Sequence, residues 1–82
     1  MNHASRLAAV SAGLGPRQLD ALLVSAGPNV RYLCGFTGDN AALLVLAGRA
    51  ILFTDPRFEI QATQETASAA CRIRIARDAT VV

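Results

Sequence analysis

Two apolar runs separated by a very short connection constrain this chain more than any other feature. Residues 41–46 read AALLVL and residues 50–54 read AILFT, with only the tripeptide AGR of residues 47–49 between them. A connection this short joins antiparallel neighbours, because a parallel return needs a much longer crossover. The sequence therefore predicts an antiparallel β-hairpin over residues 41–54.

A strong helix start follows the hairpin directly. Asp55 is a good N-cap, and Pro56 is favoured at the first helical position. We expect this helix to span residues 56–69. Its inner face carries Phe58, Ala62 and Ala69.

The segment CRIRIA, residues 71–76, predicts a fourth strand. Its arginines alternate with isoleucines, which is typical of a strand with one wet face and one buried face. The helix between the hairpin and this strand indicates a crossover connection. The chain is therefore expected to form a mixed sheet of the α/β class.

The N-terminal half predicts a helix, a strand and a short second helix. Leu7, Val10 and Leu14 form the stripe of the first helix, which glycines and a proline then end. Residues 21–25, ALLVS, are predicted to form a strand buried on both faces. Residues 26–29, AGPN, predict a turn and the start of one or two helical turns. The whole is a small mixed β-sheet with flanking helices.

Composition favours a folded domain that associates with something else. Of the 82 residues, 52% are hydrophobic and 17% are charged, which is too apolar for disorder. A core this small only narrowly offsets the conformational entropy that folding removes. The chain also ends on Thr80-Val81-Val82, an apolar run. We therefore expect a fragment of a larger body, marginally stable or oligomeric when alone.

Charge and hydropathy exclude several classes of function. The net charge of +2 is too small to indicate nucleic-acid binding, and no apolar run is long enough to span a membrane. A secretory leader is only weakly indicated by the alanine-rich N-terminus. Cys34 and Cys71 form no metal motif, so free, mostly buried thiols in a reducing cytosol are expected. A disulfide between them is the alternative if the chain is secreted.

The residues alone assemble no complete active site. The single histidine, His3, lies in the N-terminal tail, and no phosphate-binding loop or dinucleotide fingerprint is present. The six carboxylates show no spacing that suits a metal pair or general acid–base work. We expect no cofactor in this chain.

An ordered set of short motifs does point to a family. These are DALLV at 20–24, NVRYL at 29–33, GFTG at 35–38, ALLV at 42–45, TD-x-RF at 54–58 and QA at 61–62. Together they resemble the N-terminal domain of the creatinase, prolidase and Xaa-Pro aminopeptidase family, over roughly residues 5–76. The family commonly has threonine at Cys34, a small residue at Asp39 and tyrosine at Phe58.

The resemblance implies a small α/β domain that precedes a larger catalytic domain of the pita-bread fold. That second domain binds two divalent metals, often manganese, through two aspartates, a histidine and two glutamates, and it cleaves the bond before proline. Residues 1–82 are then a partial N-terminal domain without the catalytic domain. The expected parent is a cytoplasmic Xaa-Pro aminopeptidase or dipeptidase. A creatinase-like amidinohydrolase and a stand-alone binding or assembly module are the alternatives.

The resemblance also implies a role for the loop of residues 35–40, GFTGDN. In the family, the N-terminal domain mediates homo-oligomers, and in some members its loops reach the active site of a neighbouring subunit. Phe36, Asp39 and Arg57 are the candidates for residues close to a proline-containing peptide. The alternative is that these residues are structural. The glycines then allow a positive φ, and Asp39 or Asn40 caps the turn. Asp55 and Arg57 then form a helix cap and a local ion pair, and Tyr32 and Phe36 anchor the core or the loop.

Overall fold

In the computed structural model, residues 2–76 are described. The predicted order of elements is confirmed. The elements are α1 (His3–Ala12), β1 (Ala21–Val24), α2 (Gly27–Cys34), β2 (Ala41–Leu46), β3 (Arg49–Thr54), a 3₁₀ turn (Pro56–Phe58), α3 (Glu59–Glu65) and β4 (Arg72–Ile75). The apolar end at residues 80–82 lies outside the described residues.

The four strands form one mixed sheet in the order β1-β2-β3-β4. β1 pairs with β2 and β2 with β3 in antiparallel fashion, whereas β3 and β4 are parallel. The 3₁₀ turn and α3 make the crossover between the two parallel strands, as predicted. Side chains from all three helices enter one core cluster with β2 and β3, so the helices cover the same face of the sheet.

The hairpin turn is shorter by one residue than the sequence indicated. Arg49 pairs with Leu46 and belongs to β3, which leaves Ala47 and Gly48 as a two-residue turn. Gly48 has a φ of 77°, a left-handed conformation that glycine adopts without strain. The hydroxyl of Ser11 in α1 accepts from the Gly48 amide at 2.7 Å and donates to the Leu46 carbonyl at 2.6 Å. One side chain therefore fixes α1 to the turn.

The first two helices follow their local signals. Asn2 caps α1 by accepting from the Ser5 amide at 2.8 Å, and Leu7 and Leu14 are buried as predicted. Proline stands in the first turn of α2, and Gly35 ends that helix with a φ of 88°. A side-chain cap therefore marks the start of α1, and a left-handed glycine marks the end of α2.

β1 is not buried on both faces, so that prediction was wrong. It is an edge strand that pairs only with β2, and Leu22 and Leu23 are exposed. Leu22 lies opposite Val45 and Leu23 opposite Leu44, so the two side chains point to opposite faces of the sheet. A short apolar run is typical of a central strand, but its place in the sheet depends on tertiary contacts that the run does not encode.

The helix predicted over residues 56–69 is shorter than expected. It starts as a 3₁₀ turn with Asp55 as the N-cap, continues as α3 and ends at Glu65. The amide and the hydroxyl of Thr66 both donate to the Ala62 carbonyl, so this carbonyl is satisfied at the end of the helix. The chain then turns through Ala70, whose φ is 59°, and returns to the sheet. Ala62 and Ala69 are buried as predicted, and Phe58 is half-buried.

The sheet predicts a sharp contrast between two leucine truncations. Leu43 is 0% exposed and lies opposite Leu52, whereas Leu23 is 55% exposed. We expect Leu43→Ala to lower the free energy of unfolding by about 3 kcal/mol, because it leaves a cavity in the core. Leu23→Ala should cost less than about 1 kcal/mol. Denaturant unfolding followed by circular dichroism measures both, and equal losses would contradict this assignment of the core face.

Candidate functional site

The structure brings two of the three predicted site residues to one surface. The 35–40 loop joins α2 to β2 and lies beside the start of the 3₁₀ turn, where the hairpin opens. Asp39 and Arg57 are both exposed there. The hydrogen bond and the charge of Asp55 raise the pKa of Arg57 above its ordinary value, and the Asp39 charge adds a smaller contribution. Phe36 is different, because its side chain is only 1% exposed.

The buried Asp55 carboxylate holds Arg57 and Asn40 in place at this surface. Its carboxylate accepts from the Arg57 amide at 2.9 Å, from Arg57 Nε at 3.1 Å and Nη2 at 2.8 Å, and from Asn40 Nδ2 at 2.7 Å. The Arg57 guanidinium, followed by the Asn40 amide, holds the pKa of Asp55 well below its usual range. Asp55 is thus a helix cap and one half of a bidentate ion pair. The Arg57 side chain remains 70% exposed.

A second group of hydrogen bonds fixes the loop at Thr37. The Thr37 amide donates to Glu65 Oε1 at 2.8 Å, and its hydroxyl donates to Oε2 at 2.9 Å. Gln61 Nε2 donates in turn to the Thr37 hydroxyl at 3.0 Å. These donors, the Thr37 amide first, lower the pKa of Glu65. One face of α3 therefore fixes the backbone of the loop.

An aromatic side chain anchors the start of the loop in the core. Phe36 enters the core and meets Phe58 edge to face, with ring centroids 5.7 Å apart and ring planes at 83°. Gly38 passes directly over the Phe36 ring: a Cβ on Gly38 would lie 2.3 Å from Phe36 Cζ. Gly38 is therefore required for a close approach and not for a positive φ, which only Gly35 has in this loop.

Tyr32 is not a core anchor, because it is 56% exposed. The Arg6 guanidinium lies 4.2 Å from the centroid of its ring and donates to the Tyr32 carbonyl at 3.0 Å. Together with Arg31, Thr37 and Asp39, these two residues line an open groove of about 770 Å³. The groove therefore carries two guanidinium groups and one carboxylate, groups that can bind the two charged ends of a short peptide.

No metal centre is found among residues 2–76. They contain no group of three or more histidine, cysteine, aspartate or glutamate side chains that could hold a metal ion. Over the same residues, no helix is long and apolar enough to cross a membrane.

Sequence reasoning missed the contacts that hold the loop. Asn40 and Asp55 lie opposite each other because they flank a hairpin in which Ala41 pairs with Thr54. A correct two-residue turn would have revealed this pair. The contact of Thr37 with Glu65 joins residues 28 positions apart on different elements, and no local signal in the sequence reports it.

Comparison with known proteins gives one family. The model of the creatinase/prolidase N-terminal domain matches residues 6–82 of this chain. A comparison with curated proteins finds no match.

Three solved structures give the detail. The creatinase/prolidase-like N-terminal domain of a Corynebacterium diphtheriae protein has a TM-score of 0.85 and 33% identity, covering 98% of this chain and 64% of that one. Aminopeptidase P, an Xaa-Pro aminopeptidase from Streptococcus thermophilus, has a TM-score of 0.82 and 33% identity, covering 93% and 58%. The N-terminal domain of cytoplasmic peptidase PepQ from Mycobacterium tuberculosis H37Rv has a TM-score of 0.75 and 40% identity, covering 87% and 56%. This chain spans about three fifths of the length of these structures.

The Asp55 cluster predicts a loss of stability in acid. The ordinary pKa of an aspartate is 3.8, and that of Asp55 in the folded chain is lower. The unfolded chain therefore takes up the proton first, so the contribution of Asp55 to the free energy of unfolding is constant above about pH 5 and falls below about pH 4. The Asp55→Asn variant should be less stable at neutral pH, and its free energy of unfolding should fall less on acidification. Glu65 should account for part of the pH dependence that remains.

Thermal melts between about pH 3 and pH 7 test this expectation. Asp20→Asn is the matched control, because Asp20 is exposed and lies before β1, outside the cluster. Parallel pH profiles for Asp55→Asn and the unmodified chain would contradict the role given to Asp55.

The close approach at Gly38 predicts a strongly position-dependent effect of an added methyl group. Gly38→Ala should lower the free energy of unfolding by about 1–3 kcal/mol, because the Phe36 ring must move. Gly15→Ala is the control, since a Cβ there meets nothing within 4 Å. Adding Phe36→Leu to Gly38→Ala should cost less than the sum of the two single changes, because leucine lacks the ring atoms that clash. Strict additivity in chemical unfolding would show that Gly38 does not depend on the ring.

Proposed function

This chain belongs to the family of creatinase/prolidase N-terminal domains, and from that membership we propose that it is the non-catalytic N-terminal part of a proline-specific metallopeptidase. The observation that carries the proposal is 31–40% identity, over most of this chain, to an Xaa-Pro aminopeptidase of Streptococcus thermophilus, another of Streptococcus pyogenes and peptidase PepQ. An Xaa-Pro aminopeptidase or dipeptidase is therefore the proposed parent. A cytoplasmic location is proposed on the description of PepQ as a cytoplasmic peptidase.

The reaction itself is assigned to a catalytic domain outside this chain. Water is activated at neutral pH by metal ions held in several fixed ligands, and residues 2–76 offer no such cluster. Two divalent metals, with manganese the expected pair, are assigned to that domain. This chain's proposed partners are that domain and a second copy of itself.

The proposed work of this domain is assembly and control of access to the active site. β1 supports a role in assembly, because it is a sheet edge that exposes Leu22 and Leu23. The 35–40 loop supports a role in access. It is fixed at Thr37 and Asn40, and between them it presents Asp39 to solvent beside Arg57.

Each exposed charge suits one end of a peptide. The Asp39 carboxylate can pair with a free amino terminus. The Arg57 guanidinium, whose Nε and one Nη2 hydrogen already bond to Asp55, can bind a second carboxylate through its Nη1 and remaining Nη2 hydrogens. Phe36 acts as a positioning residue, because its buried ring supports the loop from the core. In the proposed assembly, this loop faces substrate that is bound in the neighbouring subunit.

The proposal predicts how a change of one loop charge affects the parent enzyme. In the full-length protein, Asp39→Asn should raise KM for short X-Pro peptides several-fold, equivalent to about 1 kcal/mol for a partly desolvated ion pair. The value of kcat and the melting temperature should change little, because the Asp39 side chain is exposed. Steady-state kinetics and a thermal melt measure these three quantities, with Asp20→Asn as the control for loss of a surface charge.

Two outcomes would contradict the proposal at different levels. An unchanged KM together with an earlier melt would make the loop a structural turn only. Metal-dependent release of an N-terminal amino acid by the 82-residue chain alone would show that the chain is itself catalytic. The reading frame downstream of Val82 separates the alternatives: a stop codon without a catalytic domain favours the stand-alone module, and a creatinase-like domain favours the amidinohydrolase.

A further inference from the structure

The side of the sheet opposite the helices carries an apolar surface. Strand pairing places the side chains that alternate with the core positions of β2 and β3 on this second face. The large apolar side chains there are Leu23, Leu44, Leu46, Ile51 and Phe53. Leu23 is exposed, and the other four are half-buried. We call this side the open face, because all three helices of the described chain contribute to the core cluster on the other side.

Two rows of paired residues cross the open face and share one composition. One row consists of Leu23, Leu44, Ile51 and Arg72, and the next consists of Ala42, Phe53 and Arg74. Each row is apolar as far as β3 and ends on an exposed arginine of β4. The open face is therefore an apolar area with positive charge along one side.

This pattern differs from that of a solvated sheet face. An antiparallel sheet with one wet face alternates apolar residues with polar ones. At the open-face positions of the described strands β1, β2 and β3, Arg49 is the only polar residue. Contiguous apolar side chains at a surface mark a site of interaction. The open face thus has the composition of a surface that another element covers.

We propose that the open face is the docking site of an amphipathic helix from the parent polypeptide, encoded downstream of residue 82, whose carboxylates pair with Arg72 and Arg74. The inference rests on the proposed function in one respect, since both require a longer parent. This chain covers 64% of the N-terminal domain from Corynebacterium diphtheriae and 56% of that of PepQ, so more than a third of each of those domains has no counterpart here. Sheets of the α/β class commonly carry helices on both faces.

Charge favours such a helix over a second copy of the chain. Arg49, Arg72 and Arg74 all point to the open face, and no strand residue of this face is acidic. Two copies packed face to face would bury arginines without a carboxylate from either open face, and a buried unpaired charge is costly. Among residues 2–76, no ion pair involves Arg72 or Arg74. An occupant with aspartate or glutamate beside its apolar side supplies the missing partners.

Hydroxyl-radical footprinting of the longer product of the same reading frame tests the proposal. Radicals oxidise exposed aromatic side chains, and tryptic residues 50–57 report Phe53 separately from the other aromatic residues. We expect Phe53 to be oxidised several-fold more slowly in the longer protein than in the 82-residue chain. Tyr32 is the internal reference, because it is exposed and lies on α2, on the opposite side of the sheet.

Charge reversal on β4 tests the proposed ion pairs. In the longer protein, Arg72→Glu combined with Arg74→Glu should restore the oxidation of Phe53, because the acidic side chains of the helix are then repelled. In the 82-residue chain, the same change should leave the oxidation of Phe53 unaltered. Arg17→Glu is the matched control, because Arg17 is exposed and lies between α1 and β1, outside the sheet. Circular dichroism checks that each variant is folded.

The outcomes separate this inference from the proposed function. Protection of Phe53 in the 82-residue chain that grows with chain concentration would assign the open face to a second copy and overturn the inference. Unchanged oxidation of Phe53 in an active longer peptidase would overturn it and leave the proposed function intact. Protection of Phe53 in a longer protein without peptidase activity would support the inference and contradict the proposed function. A reading frame that stops at residue 82 would contradict both.

Discussion

The register of the β2–β3 hairpin is the constraint on which the rest of the molecule depends. Leu43 lies opposite Leu52, so these two fully buried leucines point together to the face that the helices cover. A shift by one residue would turn that apolar face towards solvent. The same register places Asn40 opposite Asp55, and the tight turn that sets it is bound by α1. Core, site and helix placement therefore share one cause.

The 35–40 loop at the open end of this hairpin is held in place by contacts along its length. Asp55 binds it at Asn40, Glu65 binds it at Thr37, and Phe36 fills the core beneath it. Polar groups that are held in place before a ligand arrives lose less conformational entropy on binding. The surrounding network thus explains how two exposed charges, Asp39 and Arg57, can keep a defined separation, which the proposed function requires.

Much of the fold could be predicted from the sequence, because its strongest signals are local. The hairpin, the Asp55 cap and the alternation in β4 each depend on neighbours in the chain, and all three are confirmed. The exposure of β1 and the early end of α3 depend on which elements pack beside them, so local propensity predicted both incorrectly. The site shows the same division: taking the turn as three residues instead of two would pair Asn40 with Pro56, and the cluster around Asp55 would go unseen.

The hydrogen bonds between Ser11 and the hairpin turn have a consequence for the order in which the chain folds. It joins residues 35 and 37 positions apart, whereas the hairpin joins strands that only two residues separate. Closing a long stretch of chain costs more entropy than closing a short one. During synthesis, α1 and β1 leave the ribosome before their partners, because α1 packs against α2 and the hairpin, and β1 pairs with β2. The leucines in the first third of the chain therefore stay exposed to solvent until the middle third has been synthesised.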